Sequence, residues 1–137
     1  MRGWIAKWLR RREPLGDSGE NLAAEYLRGI GFKILERQHS SRIGELDLIA
    51  RDDDTIVFVE VKTRKSTMAG LPVEAVTPQK QLQITRAALV YLKQNGLLEC
   101  RTRFDVVAIL LPDDSDKPQI THYRNAFEAS GHGQMFA

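Results

Sequence analysis

Two runs of alternating residues, joined by an acidic turn, limit what this chain can fold into more than anything else in it. The first is Gly44-Glu45-Leu46-Asp47-Leu48-Ile49-Ala50. The turn is Arg51-Asp52-Asp53-Asp54, and the second run, Thr55 to Thr63, contains Ile56-Val57-Phe58-Val59-Glu60-Val61-Lys62. Side chains alternate faces along a strand. Leu46, Leu48 and Ala50 therefore share a face with Val57, Val59 and Val61, and that face must pack on a core. The opposite face carries Glu45, Asp47 and Ile49 against Phe58, Glu60 and Lys62. With Asp53 and Asp54 as the central turn residues, antiparallel pairing sets Asp47 across from Glu60 and Glu45 across from Lys62. A slip of two residues would keep the faces and break that opposition.

Directly opposed Cβ atoms lie roughly 4.5–5.5 Å apart, and like charges so placed are destabilising. A hard divalent cation bound by oxygen ligands is the natural compensation. Lys62 lies two residues from Glu60, on the same face and beside that cation site. The competing reading is a set of solvated strand charges in which Lys62 and Glu45 form a surface pair.

The rest of the chain supplies partners for this hairpin. A helix starting near Asp17 or Ser18 and ending at Gly31 has Ala23, Ala24, Leu27 and Ile30 as its buried stripe. Phe32 to His39 reads as a strand. A loop from Ser66 to Val76 leads to a helix with Thr77 as N-cap, Pro78 at its first position, and Gly96 after Asn95 as its stop. Arg103 to Leu111 reads as a strand buried on both faces, ended by Pro112. After a polar turn over Asp113 to Pro118, Gln119 to Tyr123 is a short edge strand. The order of helix, three strands, helix, strand, strand predicts an α/β sandwich, a mixed central sheet flanked by helices.

With 137 residues the chain fits one domain, and a chain of this size buries roughly two-thirds of its unfolded surface. The reading divides it into a basic amphipathic segment over 1–14, a folded body over 15–127, and a tail over 128–137. Cys100 is the lone cysteine, which excludes an intramolecular disulfide and a thiolate zinc cage and favours a reducing cytoplasm. The longest apolar run, Val106 to Leu111, is too short to span a bilayer, so no transmembrane segment is expected. The first residues lack the apolar core of a secretory signal.

The net charge of +2 hides an asymmetry. Residues 1–14 hold five basic side chains against Glu13, while the remainder holds 15 basic and 17 acidic groups. Any nucleic-acid face on the body must therefore come from local clustering. Trp4, Ile5, Trp8 and Leu9 share one helical stripe among those first basic residues. Anionic lipid, nucleic-acid phosphates and simple docking on the body are all readings open to that stripe.

The hairpin also carries a resemblance. Gly44 to Ala50 followed by Val57-Phe58-Val59-Glu60-Val61-Lys62-Thr63-Arg64 resembles the signature of the YraN-like family. These are small bacterial proteins of the PD-(D/E)XK nuclease superfamily, near the archaeal Holliday-junction resolvases. The likeness extends to Gly19-Glu20-Asn21-Leu22-Ala23-Ala24-Glu25-Tyr26-Leu27, to Pro72-Val73-Glu74-Ala75-Val76 and to Arg103-Phe104-Asp105-Val106-Val107, and covers about Leu15 to Phe127. The superfamily's proline before the aspartate is replaced by Leu46, a departure that does not by itself threaten activity.

The resemblance implies a restriction-endonuclease-like fold and a Mg²⁺-dependent nuclease acting on structured or damaged DNA, with Mn²⁺ as a substitute metal. It implies that Asp47, Glu60 and the Val61 carbonyl hold the metal and that Lys62 positions water or stabilises developing charge. It supports Glu20 as a further ligand to metal-bound water, whereas Asp17-x-x-Glu20 is also a capping-box spacing that needs no chemistry. Lys80 is either a site residue reaching in from the second helix or a solvated lysine in its first turn. Arg64 and Lys65 extend the hairpin and are candidates for phosphate contacts. His39 and His122 read as isolated structural or surface residues. The rival function is a nucleic-acid-binding module that keeps the fold without turnover, and a further rival is an adaptor working through the Trp4/Trp8 segment. A homodimer is compatible with either of the first two.

Overall fold

The computed structural model describes residues 15–65, 76–111 and 117–130. Helix α1 spans Leu15–Gly29, and strands β1, β2 and β3 span Lys33–Ser40, Glu45–Asp52 and Thr55–Arg64. Helix α2 spans Pro78–Gln94, followed by strands β4, Arg101–Leu110, and β5, Gln119–Phe127. The strands form a five-stranded mixed sheet in the order β1-β2-β3-β4-β5. Only β3 and β4 pair in parallel, and α2 makes the crossover between them. A helix packs on each face of this sheet, giving the restriction-endonuclease-like α/β sandwich that the hairpin motif implies.

Alternation along the central strands explains the two cores. Leu48, Ala50, Val57, Val59, Val107 and Ile109 face α1, where they meet Ala23, Ala24 and Leu27. Ile49, Ile56, Phe58, Phe104 and Val106 face α2 and meet Ile84, Ala87, Ala88, Tyr91 and Leu92. A strand buried on both faces reads as a continuous apolar run, and β4 is buried from Phe104 to Ile109.

The helix ends follow their capping chemistry. Thr77 accepts the Lys80 N–H on its side chain at 3.1 Å, with Pro78 at the first helical position. Helix α1 closes with the paired bonds Phe32 N–H to Leu27 carbonyl, 2.9 Å, and Gly31 N–H to Arg28 carbonyl, 3.0 Å. Together with Gly31 at φ 99 these make a Schellman motif.

Four expectations need correction. Helix α1 begins at Leu15, so Asp17 lies inside the first turn and Glu20 falls beyond the third helical position, where a capping box cannot form. Ile30 is 47% exposed, because the helix ends just before it and Phe32 takes over the buried stripe. Leu46 packs with the α2-side core instead of beside Leu48, because β2 parts from β3 at that point. Strand β5 continues four residues beyond Tyr123, across an irregularity between Phe104 and Val106, to pair Phe127 with Phe104. The amphipathic segment at 1–14, the loop at 66–75 with its Pro72-to-Ala75 motif, Pro112 with most of the polar turn after it (112–116), and residues 131–137 lie outside the described residues. Among the described residues no helix is long and apolar enough to cross a membrane.

Candidate metal and nucleic-acid site

The β2–β3 hairpin pairs Asp52 with Thr55, Ala50 with Val57 and Leu48 with Val59, which leaves Asp53 and Asp54 as the central turn residues. Asp53 occupies the left-handed region at φ 55, a conformation aspartate tolerates. The ladder stops at Leu48 and Val59, one pair short of Asp47 and Glu60. Beyond it, β2 stays with β1 through His39↔Leu46 and Ser40↔Glu45, while β3 stays with β4 through Val61↔Val107. The strands therefore fork, and Asp47 and Glu60 stand on the two prongs.

The fork rearranges the backbone partners. Ladder alternation would bring the Val61 N–H to a β2 carbonyl, but it donates to Asp47 Oδ2 at 2.8 Å. The N–H and C=O of a strand residue point to the same side, so the Val61 carbonyl also faces the fork. A shallow depression there is lined by Leu46, Asp47, Phe58, Val59, Glu60 and Ile84.

Glu60 is 6% exposed and hydrogen-bonds to Asp47. Burial pushes its carboxyl up to about 8, and the bond to Asp47 and the charge of Asp47 add to that. The two neighbouring ammonium groups oppose the rise. Lys62 Nζ lies 3.8 Å and Lys80 Nζ 3.9 Å from the same Glu60 oxygen, Oε2. Burial and a second carboxyl beside it both disfavour the charged form of Glu60. The donor set of carboxylate and carbonyl oxygens is of the kind that suits a hard cation such as Mg²⁺ or Mn²⁺.

Lys80 comes from the first turn of α2 and reaches Glu60 past the apolar floor. Lys62 pairs with Glu60 on its own strand, while Glu45 accepts from Ser40 Oγ at 3.2 Å across β1. Glu20 is half-buried near the start of α1. Among the described residues no group of three His, Cys, Asp or Glu side chains gathers to hold a metal, so Glu20 does not join the pair in one. Arg64 is half-buried and Lys65 exposed at the end of β3, and the Arg64 carbonyl accepts the Leu111 N–H at 2.8 Å.

A polar cluster that the sequence reading missed lies under α1. Asp105 is fully buried and accepts from Arg103 Nε at 2.9 Å, from the Asn125 N–H at 2.9 Å and from His122 Nε2 at 2.8 Å. On the other side of the ring, His122 Nδ1 lies 3.3 Å from the Tyr26 hydroxyl. Arg103 continues to Asp52 at 3.0 Å, where Arg124 also bonds at 2.6 Å. His122 is therefore not isolated, and His39 bonds Glu36 and meets the Tyr91 ring edge-on. An aspartate inside the apolar run of β4 was the available signal, since a buried carboxylate requires partners.

The comparisons with known proteins agree with the motifs. A model of the uncharacterised protein family UPF0102 matches residues 19–109. The chain is 52% identical over 116 residues to a UPF0102 protein of Geotalea daltonii, covering 85% of this chain and 91% of that protein. It is 50% identical over 124 residues to a UPF0102 protein of Geobacter sulfurreducens, with 90% and 96% covered. A UPF0102 protein of Rhodococcus jostii is 50% identical over 113 residues, with 82% and 95% covered. Matched by the family model across its helices and central strands, and sharing half its residues with full-length relatives, the chain belongs to family UPF0102, the YraN-like family.

Proposed function

We propose that this protein is a divalent-metal-dependent nuclease that hydrolyses phosphodiester bonds, with structured or damaged DNA as its substrate. One observation carries the reading: the buried Glu60 carboxyl meets half-buried Asp47 at a strand fork, with two ammonium groups near one of its oxygens. A pair so arranged is costly to keep in a purely structural hairpin. Asp47, Glu60 and the Val61 carbonyl would hold Mg²⁺ or Mn²⁺, which supplies Lewis acidity to a phosphodiester oxygen and to the attacking water. The Val61 N–H fixes the Asp47 carboxylate in orientation. Lys62 and Lys80 supply positive charge where negative charge develops on the phosphate, a role suited to ammonium groups already held in place. Arg64 and Lys65 extend that charge along the end of β3. The choice of DNA rests on the resemblance to resolvases.

A second reading is a nucleic-acid-binding module without turnover. It is favoured by the two lysine ammonium groups that already face the Glu60 carboxyl. The deciding experiment measures cleavage with Mg²⁺ and Mn²⁺ on continuous duplex, single-stranded, flap and four-way DNA. The nuclease reading expects metal-dependent cleavage of at least one branched substrate, lost in Glu60→Ala. Binding without cleavage across the whole panel would hand the function to the binding module.

A further inference from the structure

The turn between β1 and β2 has a build that nothing in the acidic pair explains. Its tip, Arg42-Ile43, is exposed, and Ile43 at 38% is one of the few large apolar side chains so exposed among the described residues. Loop tips are ordinarily among the more mobile parts of a fold. This one is fastened. The Ser41 N–H donates to the Gly44 carbonyl at 3.0 Å and Ser41 Oγ to the same carbonyl at 3.2 Å. The Ile43 N–H donates back to Ser41 Oγ at 3.2 Å. From α2, Gln83 Nε2 donates to the Ile43 carbonyl at 3.2 Å.

Gly44 makes that last contact attainable. It sits at φ 151, and a Cβ there would lie 2.5 Å from Gln83 Nε2 and 3.0 Å from its Cδ. Gln83 is in turn one residue from Ile84, which lines the depression, and three from Lys80, which reaches Glu60. The tip is thus held about one helical turn from the residue that touches the acidic pair. Strand direction puts it at the sheet end where Lys62, Arg64 and Lys65 also lie. A hydrogen-bonded turn thus presents an isoleucine beside an exposed arginine, at the end of the sheet that carries Lys62, Arg64 and Lys65.

We propose that the Arg42-Ile43 tip is a wedge that reads interrupted base stacking, with Ile43 against an unstacked base and Arg42 on the adjoining phosphate. The inference rests on the nucleic-acid reading of the site and names its substrate class: DNA with a break in stacking, such as a flap, junction or mismatch. Apolar wedges enter a base step only by unstacking it, and that cost is least where the stack is already broken. A wedge held at fixed position beside the cleaving groups therefore selects discontinuities and sets the bond to be cut at a fixed distance from them.

The test measures fluorescence anisotropy in EDTA, so that binding is read without cleavage. The probes are labelled DNA of one length, as continuous duplex and as flap. The wild type is expected to favour the flap, and Ile43→Ala to reduce that preference about tenfold, as loss of a contacting apolar side chain would. Ile43→Met should retain the preference, and Arg42→Ala should weaken both probes alike and lower the salt slope by about one. Equal preference in Ile43→Ala and wild type overturns the wedge. So does a wild type with no preference, and so does a dimer that Ile43→Ala dissociates while the preference survives. Cleavage in Mg²⁺ is scored separately: preference lost with Ile43→Ala but no wild-type cleavage keeps the wedge and removes the nuclease.

Discussion

Asp47 accepts the Val61 backbone N–H on its side chain at 2.8 Å, across the opening where β2 and β3 part. One carboxylate thereby serves two purposes. It satisfies a donor that the ladder no longer pairs, and it is held fixed for a ligand. Asp47→Asn preserves an acceptor for Val61 and removes the charge, so the metal-free protein should melt close to wild type. Mg²⁺ should raise the wild-type melting temperature, as a ligand that binds only the folded state must, and should not raise that of Asp47→Asn. Asp47→Ala leaves the N–H without its partner and should cost about 1 kcal/mol even in EDTA. Identical Mg²⁺ shifts in wild type and Asp47→Asn would remove Asp47 from the ligand set.

Glu60 gives the site a pH signature. Burial, then the hydrogen bond and charge of Asp47, push its carboxyl from 4.5 up to about 8. A carboxyl with a raised folded value holds its proton more tightly when folded. Its contribution to stability is complete below about pH 4.5 and is lost as the pH climbs to about 8. In EDTA the wild type should therefore lose melting temperature relative to Glu60→Gln between about pH 5 and pH 8. Mg²⁺ needs the deprotonated carboxylate, so its affinity should rise over the same interval. Parallel melting curves for the two proteins across that range would falsify the raised Glu60 value.

The two lysines should separate by kinetics. Both approach Glu60 Oε2, and each lowers the Glu60 pKa, so removing either leaves Glu60 protonated to higher pH. Measured well above pH 8, Lys62→Ala should lower turnover by about 10²–10³, the loss typical of one preorganised charge-stabilising donor. Metal affinity there should be unchanged or slightly tighter, since a cation has left the neighbourhood. Lys80→Ala should behave alike but more mildly, because its side chain is the more exposed of the two. Single-turnover rates with calorimetric metal titrations separate the two quantities. A loss of metal binding that accounts for all the lost rate would contradict the assigned role.

Asp105 governs the acid limb. Burial works to raise its carboxyl, but hydrogen bonds from His122, Arg103 and the Asn125 N–H outweigh that and hold it below the ordinary 3.8. Its stabilisation is present above the unfolded value and is lost as pH falls through the depressed folded one. Asp105→Asn should cost on the order of 3–5 kcal/mol, as breaking a buried ion pair does, and should flatten the stability loss below about pH 4. Denaturant unfolding at neutral and acid pH checks both parts. A wild-type acid limb unchanged in Asp105→Asn would place the acid sensitivity elsewhere.

These residues also mark what a sequence can disclose. That Asp47 and Glu60 lie on one face of the hairpin was legible because strand alternation and a two-residue turn fix register, although the ladder ends one pair before them. Thr77, Pro78 and Gly31 announced helix ends through local chemistry alone. The fork was not legible, since it depends on β2 choosing β1 over β3 at Leu46, a competition between distant strands. Lys80 meets Glu60, and His122 meets Asp105, only after the sheet has assembled. The Asp17–Glu20 spacing misled because local pattern cannot fix where a helix begins once extension is cheap.

One such contact ties α1 to the site. A Cβ on Gly19 would overlap Thr63 Oγ1 and lie 3.3 Å from Thr63 Cβ, so the start of α1 rests almost directly on β3 next to Lys62. The overlap involves a short β-branched side chain, whose rotamer choice is restricted. Gly19→Ala should therefore push the helix off the strand, against the small gain that alanine brings to a helix interior. The net cost should be about 1–3 kcal/mol, as for other overpacked positions. Thr63→Ala removes the overlapping oxygen, so Gly19→Ala should be much less harmful in that background. The double-mutant cycle should give a coupling of about 1 kcal/mol or more, measured by urea unfolding. Additive effects would mean that the helix and strand do not touch there. Because Glu20 follows Gly19, the same shift should lower turnover in Gly19→Ala beyond its loss of stability if Glu20 serves the site. Full activity in a destabilised Gly19→Ala protein would confine Glu20 to packing.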